Sequence, residues 1–194
     1  MDVQKFVEPT VNVERLVELL DGMGHEGRYH TIRTWSAKDL SRIFDAVKGH
    51  KPVDLDFFVP MSEPLVGVEH DLHNALPAMT PPIQKRFARI PDDADHLVGF
   101  NPQPWGRFTG PGYFTAYKGE GEHEGELVVD YTKLPSVKPA DWPAIRKNDG
   151  LIGGIVYGGM TDYVRGISTH VSIGAAFKGG KSRNAWFAMV RRDP

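Results

Sequence analysis

The stretch from Gly99 to Tyr117 (GFNPQPWGRFTGPGYFTAY) limits the possible folds more than any other part of the chain. Its aromatic residues are interrupted by Gly99, Pro102, Pro104, Gly106, Gly110, Pro111 and Gly112, which leaves only extended chain and tight bends. Such a pattern writes strongly curved β structure, and curved sheets enclose pockets. The chain holds 21 glycines and 15 prolines, spread along its middle and end, which implies many turns rather than a disordered tail.

A chain of 194 residues fits one domain, and a domain of that size buries roughly 70% of its unfolded surface without a metal or disulfide staple. The organisation expected is a single domain, 1–194, with a helical cap over 1–50 and a barrel over 51–194. There is no cysteine, hence no disulfide framework and no thiol chemistry. A net charge of −2 lacks the basic excess of a nucleic-acid binder. The uncharged run Gly150 to Thr161 is too short and glycine-rich to cross a bilayer. Met1 to Thr10 lacks the apolar core of a signal peptide. A cytoplasmic protein with no membrane and no nucleic-acid partner is expected. The acidic stretch Glu120 to Asp130 and the basic end from Lys178 to Arg192 read as solvated strand and hairpin faces.

Two helices open the chain. Asn12 caps one that carries Leu16, Val17, Leu19, Leu20 and Met23 and stops at Gly24. Ser36 caps the other, with Leu40, Ile43, Phe44 and Val47 on one stripe, and Gly49 ends it. From Val53 the pattern changes to period two. Strands are expected over 55–60, 65–70, 97–100, 112–118, 126–133, 169–177 and 184–192. The loop 118–125 joins an antiparallel pair, and Leu127, Val129 and Tyr131 share one face. Residues 74–89 fit helix or strand, and 160–167 reads as one or two helical turns.

The last strand is apolar on both faces through Trp186, Phe187, Met189 and Val190. It needs a lumen on one side and a cover on the other, which the N-terminal helices can supply. Closure into a barrel would also remove exposed sheet edges. The fold class expected is α+β: a curved antiparallel sheet forming a β-barrel, with two N-terminal helices covering it. A two-layer α+β sheet satisfies the same pattern.

The closing hairpin (169–192) and the Trp105-Gly106 element within Pro104-Trp105-Gly106-Arg107 resemble the lipocalin-like barrels, small antiparallel calyces that hold apolar ligands. The resemblance rests on these two features alone, and it implies an apolar calyx without identifying a ligand. The wall would include Trp105, Tyr113, Tyr117 and Trp186, with Arg107 and His170 as polar anchors. His170 shares a strand face with Ser172, Gly174 and Ala176, small neighbours that leave it room.

Other motifs carry less. His70-x-x-His73 with Glu69 and Asp71 would bind a metal only on a helix, since strand positions three apart face opposite ways, and a polar loop is the reading preferred. Gly180-Lys181-Ser182 fails as a phosphate loop, with Ala175 at the required glycine and a strand where a helix must begin. Gly119-x-Gly121 sits among carboxylates that would repel a pyrophosphate.

No metal and no cofactor is expected. The leading function is binding of a small apolar molecule in the barrel. The rival is a cofactor-independent isomerase, cyclase or hydrolase with His170 as general base, which a carboxylate such as Asp130 bonded to His170 would favour. A third reading is homo-oligomer formation through the charged hairpins.

Overall fold

The computed structural model describes residues 6–7, 9–75, 83–102, 110–147 and 157–192. Four helices and eight strands occur among these residues, in the order α1 (Val13–Asp21), α2 (His25–Ile32), α3 (Ala37–Ala46), α4 (Leu55–Phe58), β1 (Val68–Asn74), β2 (Ile83–Ile90), β3 (Asp93–Phe100), β4 (Phe114–Lys118), β5 (Leu127–Asp130), β6 (Met160–Gly166), β7 (Val171–Lys178) and β8 (Lys181–Arg191). Each strand pairs antiparallel with the next, and β8 returns to pair with β1, so the sheet closes into a barrel.

The period-two pattern sorts the side chains between two faces. Val68, Leu72, Ile83, Phe87, Leu97, Phe114, Ala116, Leu127, Val129, Val164, Phe187 and Met189 form the inner cluster. Glycine shapes the wall. The ring of Phe114 leans across Gly99, its direct partner on β3, and Phe187 leans across Gly174 on β7. A side chain at either glycine would collide with the ring, so the two phenyl groups lie along the wall because their neighbours have none.

One end of the barrel is closed by its own chain. Asp54 caps α4 through the Phe57 amide at 2.9 Å, and Val53, Leu55, Phe58 and Val59 join the inner cluster. At this end the buried His70 donates from Nε2 to the Phe58 carbonyl at 3.0 Å.

The N-terminal helices form a second cluster with the outer faces of β7 and β8, where Leu16, Leu20, Ile32, Leu40 and Ile43 meet Val171, Ile173, Ala188 and Val190. The Asn12 side chain accepts from Arg15 N, and Ser36 with Asp39 forms a reciprocal capping box. Outside β6, Arg165 donates to Glu126 at 2.6 Å and to the Phe44 carbonyl at 2.7 Å, which ties α3 to the barrel. A third cluster of Ala88, Val98, Phe100, Tyr113 and Trp142 packs on the outer side of β2 and β3.

Several expected elements differ. Residues 55–58 are helix, because Asp54 supplies a cap that a strand would leave unused. The first strand begins at Val68 rather than at Leu65, which has φ 59°. Residues 83–90 resolve as strand, and 160–166 is strand rather than helical turns, paired along both edges with β5 and β7. The helix α2 was absent from the expectation. Its sequence HEGRYHTI has almost no apolar stripe, and it is anchored by Arg28 Nε donating to the Leu20 carbonyl at 2.9 Å.

Candidate functional site

The lumen contains a charged residue at a position the strand pattern reserves for an apolar one. On β2 the inward positions are Ile83, Lys85 and Phe87, and on β6 they are Asp162, Val164 and Gly166. Lys85 and Asp162 are both buried, and Lys85 Nζ lies 3.1 Å from Asp162 Oδ2. The ammonium also donates to Asn101 Oδ1 at 3.1 Å and, by a short contact, to the Tyr131 hydroxyl. Its three protons are thus met by three acceptors.

The partners bond to one another. Asn101 Nδ2 donates to the Tyr131 hydroxyl at 3.0 Å and to the Gly112 carbonyl at 3.3 Å, while Tyr131 donates to Asp162 at 3.4 Å. Tyr157 stacks on Tyr131 with ring centroids 5.2 Å apart and also reaches Asn101. Gly112 has φ 60°, and a Cβ there would lie 2.6 Å from the Tyr157 ring. The chain turns against the network where only glycine fits.

Aromatic faces surround the ammonium. Lys85 Nζ is 5.1 Å from the Phe114 centroid, 4.9 Å from Tyr131 and 5.1 Å from Phe187. The ring faces and the Asp162 carboxylate both attract the ammonium electrostatically. Burial pushes the Asp162 carboxyl above the ordinary range, against the pull of Lys85. Burial, and next the Asp162 charge, raises Tyr131 well above an ordinary phenol, and burial likewise raises Tyr157. The tyrosines are neutral donors at physiological pH. The network therefore carries one positive and one negative charge among mostly apolar inward side chains, with Arg191 and His70 lying toward the other end.

Its place in the barrel follows from the topology. Lys85 and Asp162 lie near the starts of their strands, and Asn101 and Tyr131 directly follow β3 and β5. All four sit toward the end opposite α4. A surface concavity of about 650 Å³ lies at the α4 end instead, beside Asp56, Pro60, Arg89 and Asp93. It is outside the lumen, and Arg89 is engaged there by Asp56 and the Val59 carbonyl.

The residues expected to form the site are placed differently. Trp105 and Arg107 lie outside the described residues. Tyr113 is buried in the outer cluster with Phe100 and Trp142, and its hydroxyl donates to the Pro143 carbonyl at 2.5 Å; burial raises its pKa to about 12. Tyr117 faces outward on β4, donating to Asp130 at 3.3 Å beneath Lys133. Trp186 packs against the helical cluster, since the inner positions of β8 are Phe187, Met189 and Arg191. The calyx wall expected from Tyr113, Tyr117 and Trp186 is thus corrected: strand parity turns these three outward and turns Phe114, Phe187 and Tyr131 inward.

His170 lies in the β6–β7 connection, with Nδ1 3.2 Å from an Arg191 nitrogen. Asp130 is far from it: Asp130 pairs with Thr161, and Thr161 pairs with Phe177, seven residues along β7 from His170. That is about 20 Å at strand rise. Asp130 instead meets Tyr117, Thr132 and Lys133. His70 and His73 lie on opposite faces of β1 and bond to the Phe58 and Trp35 carbonyls.

A period-two reading of IQKRFARI and MTDYVRG would have placed Lys85 and Asp162 on apolar parity, the signal that marks this network. Compared with protein-family models, curated proteins and solved structures, the chain finds no match in any of the three.

Proposed function

We propose that this protein binds a small, largely apolar molecule within the barrel, with the Lys85 network orienting the molecule's one polar group. The observation that carries the reading is a polar cluster (Lys85, Asp162, Tyr131, Asn101) set among aliphatic and aromatic side chains, apart from His70 and Arg191 at the α4 end. Ligand sites are built that way: apolar surface supplies affinity, and a few fixed polar groups supply orientation. On this reading the barrel is a lipocalin-like calyx with the N-terminal helices as its cover, located in the cytoplasm.

The charge of the cluster narrows the ligand. Lys85 and Asp162 already balance, so a carboxylate would bring an uncompensated charge into a poorly solvated site. A neutral acceptor such as a carbonyl or hydroxyl can replace one of the three acceptors around Lys85 without that cost. Charge therefore favours neutral guests.

Among the described residues, Trp35, Trp142 and Trp186 belong to outer clusters, so the test uses an added dye rather than tryptophan emission. The test is displacement of a neutral, environment-sensitive dye by aliphatic alcohols, ketones and carboxylates, with native mass spectrometry of the purified protein. Saturable binding with neutral compounds ahead of carboxylates of equal length is expected. Absence of saturable binding across the panel would remove the reading.

The enzymatic alternative passes from His170 to the same network, where Lys85, Tyr131 and Asp162 are buried inside the barrel and in mutual contact.

A further inference from the structure

We infer that Lys85 holds an apolar aldehyde or ketone as an imine, with Asp162 as its counter-ion. This rests on the reading that the barrel takes a small apolar guest, and it names the guest's reactive group. Three observations carry it. Lys85 is a primary amine buried inside the barrel, its ammonium nitrogen is 3.1 Å from a carboxylate, and three aromatic faces surround it.

The chemistry balances with these residues alone. The Lys85 ammonium passes a proton to the Asp162 carboxylate, whose affinity for it is raised by burial. The neutral amine adds to the carbonyl carbon, forming the C–N bond, and its second proton ends on the former carbonyl oxygen. Asp162 then returns its proton to that oxygen, the C–O bond breaks, and water leaves. The product is an iminium beside the Asp162 carboxylate, with the same net charge as at the start. Tyr131, whose hydroxyl accepts from Lys85 and donates to Asp162, can turn its proton to the oxygen as it gains negative charge. The aromatic faces that hold the ammonium suit the iminium equally.

A simple buried ion pair accounts for the same contacts, so the test must read covalency. The purified protein is incubated with one equivalent of butanal, hexanal or octanal at pH 8, reduced with sodium cyanoborohydride, and mapped by peptide mass spectrometry. One adduct per chain at Lys85 is expected, in preference to exposed lysines such as Lys118 and Lys181. Yield at Lys85 should rise about three- to four-fold per added CH₂ until the guest fills the lumen, as apolar burial dictates. Lys118 and Lys181 should show no such dependence. Lys85→Arg keeps the charge, cannot form an imine, and should lose the stoichiometric adduct while the fold, read by circular dichroism, is kept. Should that variant fail to fold, the site map of the wild-type adduct decides alone. Adducts spread over surface lysines, while octanol still displaces the dye, would overturn the imine and leave the binding reading standing. Loss of both binding and adduct would overturn both.

Discussion

Gly174 and Phe187 face each other across β7 and β8, and a Cβ built on Gly174 would lie 2.3 Å from the Phe187 ring. Gly99 and Phe114 repeat the relationship on the other side of the lumen at 2.1 Å. Neither glycine has a positive φ, so neither is present for its backbone conformation. Both supply space for a ring.

The first prediction follows from that space. Gly174→Ala forces Phe187 off the wall, and overpacking of this kind costs about 1–3 kcal/mol. Urea denaturation should show a lowered midpoint with an unchanged slope. Gly174→Ala combined with Phe187→Leu should recover part of the loss, because the smaller side chain vacates the position. Equal stability of wild type and Gly174→Ala would show that the ring does not lean on this glycine.

The second prediction concerns Lys85 and Asp162. Lys85→Met leaves a carboxylate in the lumen without its cation, and breaking a buried pair from one side costs about 3–5 kcal/mol. Replacing both, as Lys85→Met with Asp162→Leu, removes the charges together and should restore most of the stability. Thermal unfolding of four proteins, the wild type, Lys85→Met, Asp162→Leu and the double variant, forms a double-mutant cycle. Additive effects of the two substitutions would mean that the pair is not coupled.

How much of this was legible in the chain depends on the length of each signal. The two faces of β8 carry enough apolar residues to require a lumen and a cover, and they do enter two separate clusters. The caps Asn12 and Ser36 located α1 and α3, and the alternation of Leu127, Val129 and Tyr131 put those residues on one face, which the structure turns inward. Short elements were harder to read. The four residues of α4 fit either period, and α2 buries Arg28 and Thr31 where a helical stripe would show apolar residues. The site was hidden for a related reason. Lys85 and Asp162 interrupt the apolar parity of their own strands, so each makes its strand look less like one, and their approach depends on the barrel closing.

A third prediction joins α2 to the barrel through Asp71. This buried carboxylate accepts from His25 Nε2 at 2.7 Å, Gln84 at 2.9 Å, and Arg192 at 2.8 and 3.1 Å. Burial alone would raise its pKa, but the hydrogen bonds from Arg192, Gln84 and His25 outweigh that and hold it low. His25 is the first residue of α2, so the carboxylate fixes that helix to β1. Asp71→Ala should cost about 2–3 kcal/mol, the scale of hydrogen bonds to a charged group. The effect should be local first: backbone amides of α2 should exchange faster than those of α3 under native conditions. Uniform acceleration across both helices would argue against a dedicated link.

The fourth prediction is a pH dependence set by His70. Burial, reinforced by the positive charge of Arg191, lowers its pKa to about 3, with the Phe58 carbonyl and Asp71 opposing. Because Nε2 donates to Phe58, Nδ1 is left buried with no hydrogen-bond partner among the described residues, and protonation would place a charged N–H there. The unfolded value is about 6.5, so between about pH 3 and 6.5 the unfolded chain holds the extra proton. Stability must therefore fall as pH drops through that window, by roughly 3 kcal/mol between pH 7 and 4. Asp162, whose pKa is raised, contributes in the opposite sense, and Asp71, whose pKa is lowered, contributes in the same sense but only in the acid carboxylate range. Subtracting the profile of His70→Leu from that of the wild type cancels both. The difference should be flat above pH 7 and slope steadily below 6.5. A flat difference throughout would place the charged imidazole in contact with water and remove His70 as the source of acid sensitivity.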